Sequence, residues 1–333
     1  MSEVVVITGA SGFIGRWTRE ALLERGYDVV SLRRPASPAA ERGRSEEVDY
    51  GDPASVARTI EAIRPDYVLH VAGATKGVTY ADFQRANVTP TGTLLQAIDA
   101  ASAPVRRFVL MSSLASFGPS TLDAPHVESA KAAPIEFYGK SKLEAERLVE
   151  ASGIPFTILR PGGVYGPGDV DYFNLFKSAA QGWNVYFGNR KRAFSKIYIS
   201  DMVKLTLAAT FAPETEDESY FVCDGAPVTW EEFQSAIVAR AERPVREFDL
   251  PGGFVNLAAW GGEVMSSIDK KPRLFNRQKA AMGRAEAWTC DPSRLFSDVG
   301  LRASVSLDEG VEKAWSWYRA AGWVSRPRGA VAT

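Results

Sequence analysis

Val4-Val5-Val6-Ile7-Thr8-Gly9-Ala10-Ser11-Gly12-Phe13-Ile14-Gly15 decides how this chain is read: a short apolar strand runs into three glycines and then into a helical pattern. The glycines follow T-G-x-x-G-x-x-G, a step of three from Gly9 to Gly12 where the common dinucleotide fingerprint steps two. Gly9 permits a tight turn, Gly12 lets phosphate oxygens approach backbone N–H groups, and Gly15 lets the helix lie close to the strand. Ser11, Phe13 and Ile14 share the turn and complete a candidate pyrophosphate cradle. The plainer alternative is an ordinary glycine turn, and the strand before and helix after speak against it.

Outward from this stretch, apolar runs at Val4-Thr8, Val29-Leu32, Tyr67-Val71, Phe108-Met111 and Phe156-Leu159 alternate with helical patterns near 13–25, 53–64, 80–101 and 138–151. Such alternation predicts βαβ units and an α/β, Rossmann-type doubly wound parallel sheet. Arg33 to Ser45 holds two prolines and four arginines without periodicity, and reads as the loop after the second strand. Beyond Gly162 the pattern loosens and becomes rich in aromatics, returning to strand-like runs at Ile197-Ile199 and Tyr220-Val222, with an acidic surface turn at Glu214 to Glu218. We expect a nucleotide-binding part over 1–165 with returning segments near 195–210 and 218–225, interleaved with a smaller C-terminal substrate-binding region over 166–333.

The 333 residues carry 45% hydrophobic side chains, enough for a sizeable core, and a formal net charge of -1. Nucleic-acid binding through phosphate neutralisation needs a basic excess that is missing here. Cys223 and Cys290 are the two cysteines, far apart in sequence, and fit reduced thiols rather than a disulfide. With His70 and His126 the only histidines and no close cysteine pair, no metal site is expected. The chain enters a strand pattern without a basic leader, and no uncharged apolar stretch reaches about 18 residues, so the expected location is cytoplasmic, without a transmembrane segment.

Tyr138 and Lys142 stand four apart in Tyr-Gly-Lys-Ser-Lys, a spacing that puts phenol and ammonium on one helix face, where the cation favours the phenolate. Lowering a tyrosine from about 10 by about 3 units takes about 4 kcal/mol, toward which a nearby ammonium contributes. Together with the glycine turn, this motif closely resembles the extended short-chain dehydrogenase/reductase family, within the NAD-dependent epimerase/dehydratase superfamily. Further pieces recur in the family's order: Gly51-Asp52, His70-Val71-Ala72-Gly73, Asn87-Val88, Ser112-Ser113, Arg160-Pro161-Gly162-Gly163-Val164-Tyr165-Gly166-Pro167 and Ile199-Ser200-Asp201. The resemblance is strongest over residues 3–168 and weak beyond about residue 225.

It implies roles. Ser113 aligns with the catalytic serine that hydrogen-bonds the substrate oxygen, Tyr138 transfers the proton, and Lys142 binds the nicotinamide ribose. Asp52 would contact adenine, Ala72 and Gly73 would line the cofactor channel, and Pro161, Gly162 and Val164 would contact the cofactor; for Asp52, Ala72 and Gly73, a loop acid and a small-residue strand end remain the alternatives. Asn87 would hold the lysine or the cofactor, or is a plain surface helix position. His126 reads as a solvated loop histidine and His70 as a satisfied core group. Possible homodimerisation through the helices near 80–101 and 138–151 is implied by the family alone.

Where NAD-dependent members place an acid on the adenine ribose, about 18–20 residues past the last glycine, this chain has Arg33-Arg34. A carboxylate accepts from a free 2′-hydroxyl, whereas guanidinium groups pair with a 2′-phosphate, so NADP(H) is the expected cofactor, against the alternative of a solvated basic loop. Asp28 stands at the wrong end of its strand to alter this. Dehydratases of the family carry Asp-Glu after the strand hydroxyl, whereas Leu114-Ala115-Ser116 follows Ser113. The arginine with which nucleotide-sugar enzymes grip a diphosphate aligns with Phe194, although Arg190 and Arg192 are nearby. The expected function is an NADP-dependent carbonyl reductase or alcohol dehydrogenase acting on an apolar substrate, similar to the dihydroflavonol-reductase and hydroxysteroid-dehydrogenase branches. The alternatives are a nucleotide-sugar epimerase with retained cofactor and a non-catalytic cofactor-binding regulator. Phe117, Phe137, Tyr165, Phe173, Phe176, Trp183, Tyr186 and Phe187 are candidate pocket residues or core aromatics, and 254–260 is a candidate lid helix.

Overall fold

The computed structural model describes residues 2–102, 104–250 and 282–324. The first half runs β1 (Val4–Thr8), α1 (Phe13–Glu24), β2 (Asp28–Arg33), β3 (Arg44–Glu47), α2 (Pro53–Ile63), β4 (Tyr67–His70), α3 (Tyr80–Phe83), a π-helical turn (Gln84–Val88), α4 (Thr89–Asp99), β5 (Arg107–Met111), α5 (Phe137–Glu150) and β6 (Phe156–Pro161). There follow β7 (Gly163–Tyr165), α6 (Phe173–Ala180), β8 (Trp183–Phe187), β9 (Ala193–Phe194), β10 (Lys196–Tyr198), α7 (Ile199–Phe211), β11 (Glu218–Val222), β12 (Val228–Thr229), α8 (Trp230–Val238), β13 (Arg246–Leu250), β14 (Ala287–Trp288), α9 (Ser293–Val299) and α10 (Leu307–Ala320).

Seven strands form one all-parallel sheet in the order β11-β6-β5-β4-β1-β2-β3. The sense of winding reverses between β1 and β4, and this switch point opens a crevice beyond the strands' carboxyl ends. β1 is buried on both faces, which is why it reads as an unbroken apolar run. β3 departs from the expected loop over 33–45. It is a polar edge strand, Arg-Ser-Glu-Glu, paired on one side to β2, so it carries no hydrophobic signal.

The C-terminal part is interleaved with the sheet. β11 pairs with β6 in the main sheet, whereas β10 pairs with β7, β9 lies between β12 and β14, and β8 pairs with β13. One hydrophobic cluster runs from Val5, Ile7 and Val109 through α7 to Phe233, Val311 and Tyr318, so both parts share a core. No helix among the described residues is long and apolar enough to cross a membrane.

Beneath the crevice, a buried polar chain binds three elements. His70 Nδ1 lies 2.7 Å from Thr8 Oγ1 and Nε2 lies 3.0 Å from Thr91 Oγ1. Thr91 donates to the Asn87 carbonyl at 2.7 Å, so it accepts from Nε2–H, and His70 is the Nε2–H tautomer with Nδ1 accepting from Thr8. Burial, helped by the Lys142 charge, pushes the imidazole down to about 3. His70 is the satisfied core group the sequence predicts.

A histidine held neutral in the folded state takes up a proton on unfolding, so stability falls as pH drops below about 6.5, with a slope approaching about 1.4 kcal/mol per unit. Urea unfolding of the wild type at about pH 7 and about pH 5 should show this loss, and His70→Gln should be less stable at pH 7 but flatter between the two. Equal slopes in both proteins would refute the assignment.

Candidate active site

The glycine turn closes the crevice at the end of β1. Gly9 has φ +71°, and a methyl placed on it would sit 2.6 Å from the Ala72 nitrogen. A methyl on Gly15 would sit 2.1 Å from the Gly9 oxygen. Both positions are therefore closed to any side chain. Gly12 donates to Gly9 O at 2.9 Å and caps α1 without a side chain, leaving the first-turn amides around Phe13 and Ile14 at the positive end of the helix, beside the exposed Ser11. This cradle fits a dinucleotide's pyrophosphate. Ala72 donates its amide to Thr8 Oγ1 at 3.1 Å, and a methyl on Gly73 would come within 3.0 Å of both Asn87 Oδ1 and Lys142 Nζ.

At the end of β2, Arg33 pairs with Glu47 at 2.8 Å and donates to Ser37 O at 3.2 Å, while its Nε–H is buried without a partner. Arg34 is exposed and forms no ion pair among the described residues. Glu47, from the edge strand β3, takes part of the charge expected of Arg33. Asp52 caps α2 by accepting from Ala54 N at 3.1 Å, and is exposed. Asp28 pairs with Arg44 at the opposite end of β2. Arg16, directly after the third glycine, was not singled out by the sequence reading; it is exposed in the first turn of α1, and a methyl on Gly168 would sit 2.1 Å from its Nη2.

α5 begins where Glu136 accepts from the amides of Tyr138 and Gly139, both at 2.6 Å. This cap fixes Tyr138 at the helix entrance. A methyl on Gly139 would lie 2.1 Å from Ala115 O, so the helix presses against the chain just after Ser113. The Ser113 hydroxyl neighbours the Tyr138 phenol and draws its pKa down. Lys142 donates to Met111 O at 2.8 Å, with Nζ 6.0 Å from the centre of the Tyr138 ring. Asn87 is buried and clamps the backbone of Ala74 at 2.7 and 3.2 Å while donating to Ser141 Oγ at 2.8 Å, and Ser141 donates to Tyr138 O at 2.7 Å. The surface reading of Asn87 is overturned. It holds the crevice loop to α5 rather than bonding Lys142.

The electrostatics also depart from expectation. Burial pushes the Tyr138 phenol up to about 12; the Ser113 hydroxyl lowers it, and Glu136 and Asp171 raise it. Burial pulls Lys142 down to about 8, with Glu146 opposing. The helix spacing does bring the ring and the ammonium near each other, but desolvation is the largest influence on the phenol, which stays protonated at neutral pH.

Pro161 ends β6, Gly162 donates to Val222 O at 3.0 Å with no room for a side chain against Ser195 O, and Val164 pairs with Ile197 in the β7–β10 ladder. The candidate pocket aromatics scatter. Phe117, Tyr165, Phe176 and Tyr186 are buried in the core rather than on a pocket wall: Phe117 packs edge-on to Phe221, Tyr165 to Tyr198 and Phe233, and Phe176 against Tyr318. Phe173 packs on Tyr318 and Trp323. Trp183 borders a surface hollow with Gln181 and Arg243, Phe137 borders another with Tyr80 and Arg147, and Phe187 is partly exposed at the end of β8. Residues 254–260 lie outside the described residues. His126 is half-buried, its Nε2 against the Gly118 and Pro119 carbonyls and its ring against Phe117, which replaces the solvated reading. Cys223 and Cys290 are free and buried.

Phe194, at the diphosphate arginine's position, is 5% exposed and stacks on Trp230 at 4.6 Å. Arg190 is held by Glu231, Glu247 and Asp249 and lies over the Tyr186 ring. Arg192 bonds the carbonyls of Phe187 and Asn189.

Residues 5–223 match the NAD dependent epimerase/dehydratase family. A ceramide reductase of Caulobacter vibrioides is 30% identical over 97% of this chain and 96% of its own length. A UDP-glucose 4-epimerase of Vibrio cholerae is 26% identical over 94% of both. Among solved structures, a UDP-glucose 4-epimerase of Thermotoga maritima with UDP-glucose superposes with a TM-score of 0.76 at 21% identity, covering 96% of this chain and 99% of that one, a likeness of fold. The parallel sheet with its switch-point cradle and the match over most of the chain agree: the protein belongs to the NAD-dependent epimerase/dehydratase family of nicotinamide-cofactor enzymes.

Proposed function

We propose that this enzyme is an NADP(H)-dependent oxidoreductase that carries out reversible hydride transfer between the nicotinamide and a ketone or secondary alcohol on a hydrophobic substrate. The observation that carries the reading is the convergence of the Ser113 and Tyr138 hydroxyls beside Lys142 at the ends of β5 and β4. Hydride is what a bound nicotinamide supplies. The Ser113 and Tyr138 hydroxyls hold the substrate oxygen, and Tyr138, protonated at neutral pH, gives up its proton as the carbonyl is reduced. Lys142 holds the nicotinamide ribose and steadies the phenolate left behind. Such proton transfer contributes about 10²–10⁴ in rate.

Arg34 and the unpartnered Nε–H of Arg33 support recognition of a 2′-phosphate by charge-assisted bonds. The apolar substrate is supported by the buried Phe194 where a diphosphate-gripping arginine would stand, and by the full-length relative named for ceramide, a lipid. A second reading, a nucleotide-sugar epimerase retaining its cofactor, is favoured by Arg192, which has no carboxylate partner among the described residues, and by the relative named as a UDP-glucose 4-epimerase. An epimerase copurifies with its dinucleotide, whereas a reductase exchanges it freely.

NADPH should bind more tightly than NADH, and replacing Arg33 and Arg34 together with serine should weaken NADPH by about 2–4 kcal/mol while sparing NADH. Equal affinities in the wild type would remove the assignment. Tyr138→Phe should retain fold and NADPH affinity but lose nearly all turnover, and full activity in that variant would sink the mechanism. NADPH oxidation should appear with hydrophobic ketones and be absent with UDP- or GDP-sugars; productive binding of a nucleotide sugar would select the epimerase reading.

A further inference from the structure

A second buried polar cluster lies behind the candidate site. Glu146 stands on α5 one turn after Lys142, and it is 1% exposed. Its Oε1 accepts from Ser112 Oγ, and its Oε2 accepts from Arg160 Nε at 3.0 Å and Nη2 at 2.9 Å. Ser112 and Arg160 are 3% and 5% exposed, and the guanidinium lies 4.7 Å from the Phe117 ring centre and 5.8 Å from that of Phe221. Each member therefore adjoins a different part of the site. Ser112 lies between Met111, whose carbonyl takes the Lys142 ammonium, and Ser113. Arg160 directly precedes Pro161 and Gly162. Glu146 shares a helix with Tyr138 and Lys142.

A buried ion pair is a poor source of net stability, because desolvating both charges offsets their attraction. A pair with both carboxylate oxygens occupied is instead a strong geometric constraint. We propose that Glu146, clamped between Ser112 and Arg160, is a positioning residue of the hydride-transfer site: it locks the helix carrying Tyr138 and Lys142 to the ends of β5 and β6 and sets its carboxylate one helical turn from the Lys142 ammonium. The inference rests on the function proposed above. The groups facing Lys142 are Tyr138 and Glu146 on its own helix, neutral His70 from β4, the Met111 carbonyl from β5, the amide of Asn87, and, behind Glu146, Arg160 from β6. Glu146 is the only carboxylate in this set. Arg160 neutralises part of its charge, so removing either partner acts on Lys142 with opposite sign.

The test is the pH dependence of NADPH affinity, read from the cofactor's fluorescence between about pH 6.5 and about pH 9.5, which needs no substrate. In the wild type, affinity should fall as pH rises through the Lys142 midpoint, near 8. Glu146→Gln should move that midpoint down by about one unit or more, and Arg160→Gln should move it up; Glu146→Asp, which keeps the charge, should return it toward the wild type. A purely structural role would weaken binding in both variants without opposite displacements. Unmoved midpoints in Arg160→Gln and in folded Glu146→Gln, with folding checked by circular dichroism, would overturn the proposal. If Glu146→Gln does not fold, the Arg160→Gln displacement decides alone. Wild-type binding tests the parent reading separately: if NADH binds better it replaces NADPH in every titration, and if neither dinucleotide binds, the function proposed above fails with this inference.

Discussion

Backbone lies against backbone at the end of β1, and the rest of the structure is arranged around that contact. The Cβ positions of Gly9 and Gly15 are occupied by Ala72 N and Gly9 O, so β1, α1 and the loop after β4 meet at distances that tolerate no side chain. Because the sheet order reverses between β1 and β4, the close approach falls where a crevice must open. The uncapped amides of α1 then face a space bounded by Ala72 and Gly73, and neither a flexible loop nor a larger residue would hold that geometry.

From this point, two hydrogen-bonded chains carry position outward. One passes from Ala72 through Thr8, His70 and Thr91 to Asn87, and on through Ser141 to the backbone of Tyr138. The other joins Ser112, Glu146 and Arg160 one turn further along α5. Both are fully partnered at their linking atoms, which is what makes polar groups tolerable in a core. The same low polarity governs charge: it keeps His70 neutral, draws Lys142 down against the pull of Glu146, and lifts Tyr138 against the influence of Ser113.

The aromatic content of the C-terminal part serves chiefly to join it to the sheet. Tyr165, Phe176, Phe194, Phe233 and Tyr318 belong to one cluster with β1 and α7, and the Tyr318 hydroxyl donates to the carbonyls of Gly166 and Asp169 at 3.0 Å. Large rings bury much area for little conformational entropy, and an interleaved unit with short strands needs such packing where ladders are short.

By itself, the sequence determined the alternation of strands and helices, the glycine cradle and the pairing of Tyr138 with Lys142, because these are local: period, turn chemistry and helix spacing act over a few residues. Ser113 was legible only through the likeness of its segment to a family. Tertiary structure decided the rest. β3 is a polar edge strand with no hydrophobic period to mark it, and it brings Glu47 to Arg33. Phe117 and Tyr165 look the same in sequence whether they line a pocket or fill a core; only their neighbours distinguish the two. Glu146 and Arg160 look like ordinary surface charges until α5 lies on β6, and the direction of each pKa shift follows from burial, which depends on every element packed around the group.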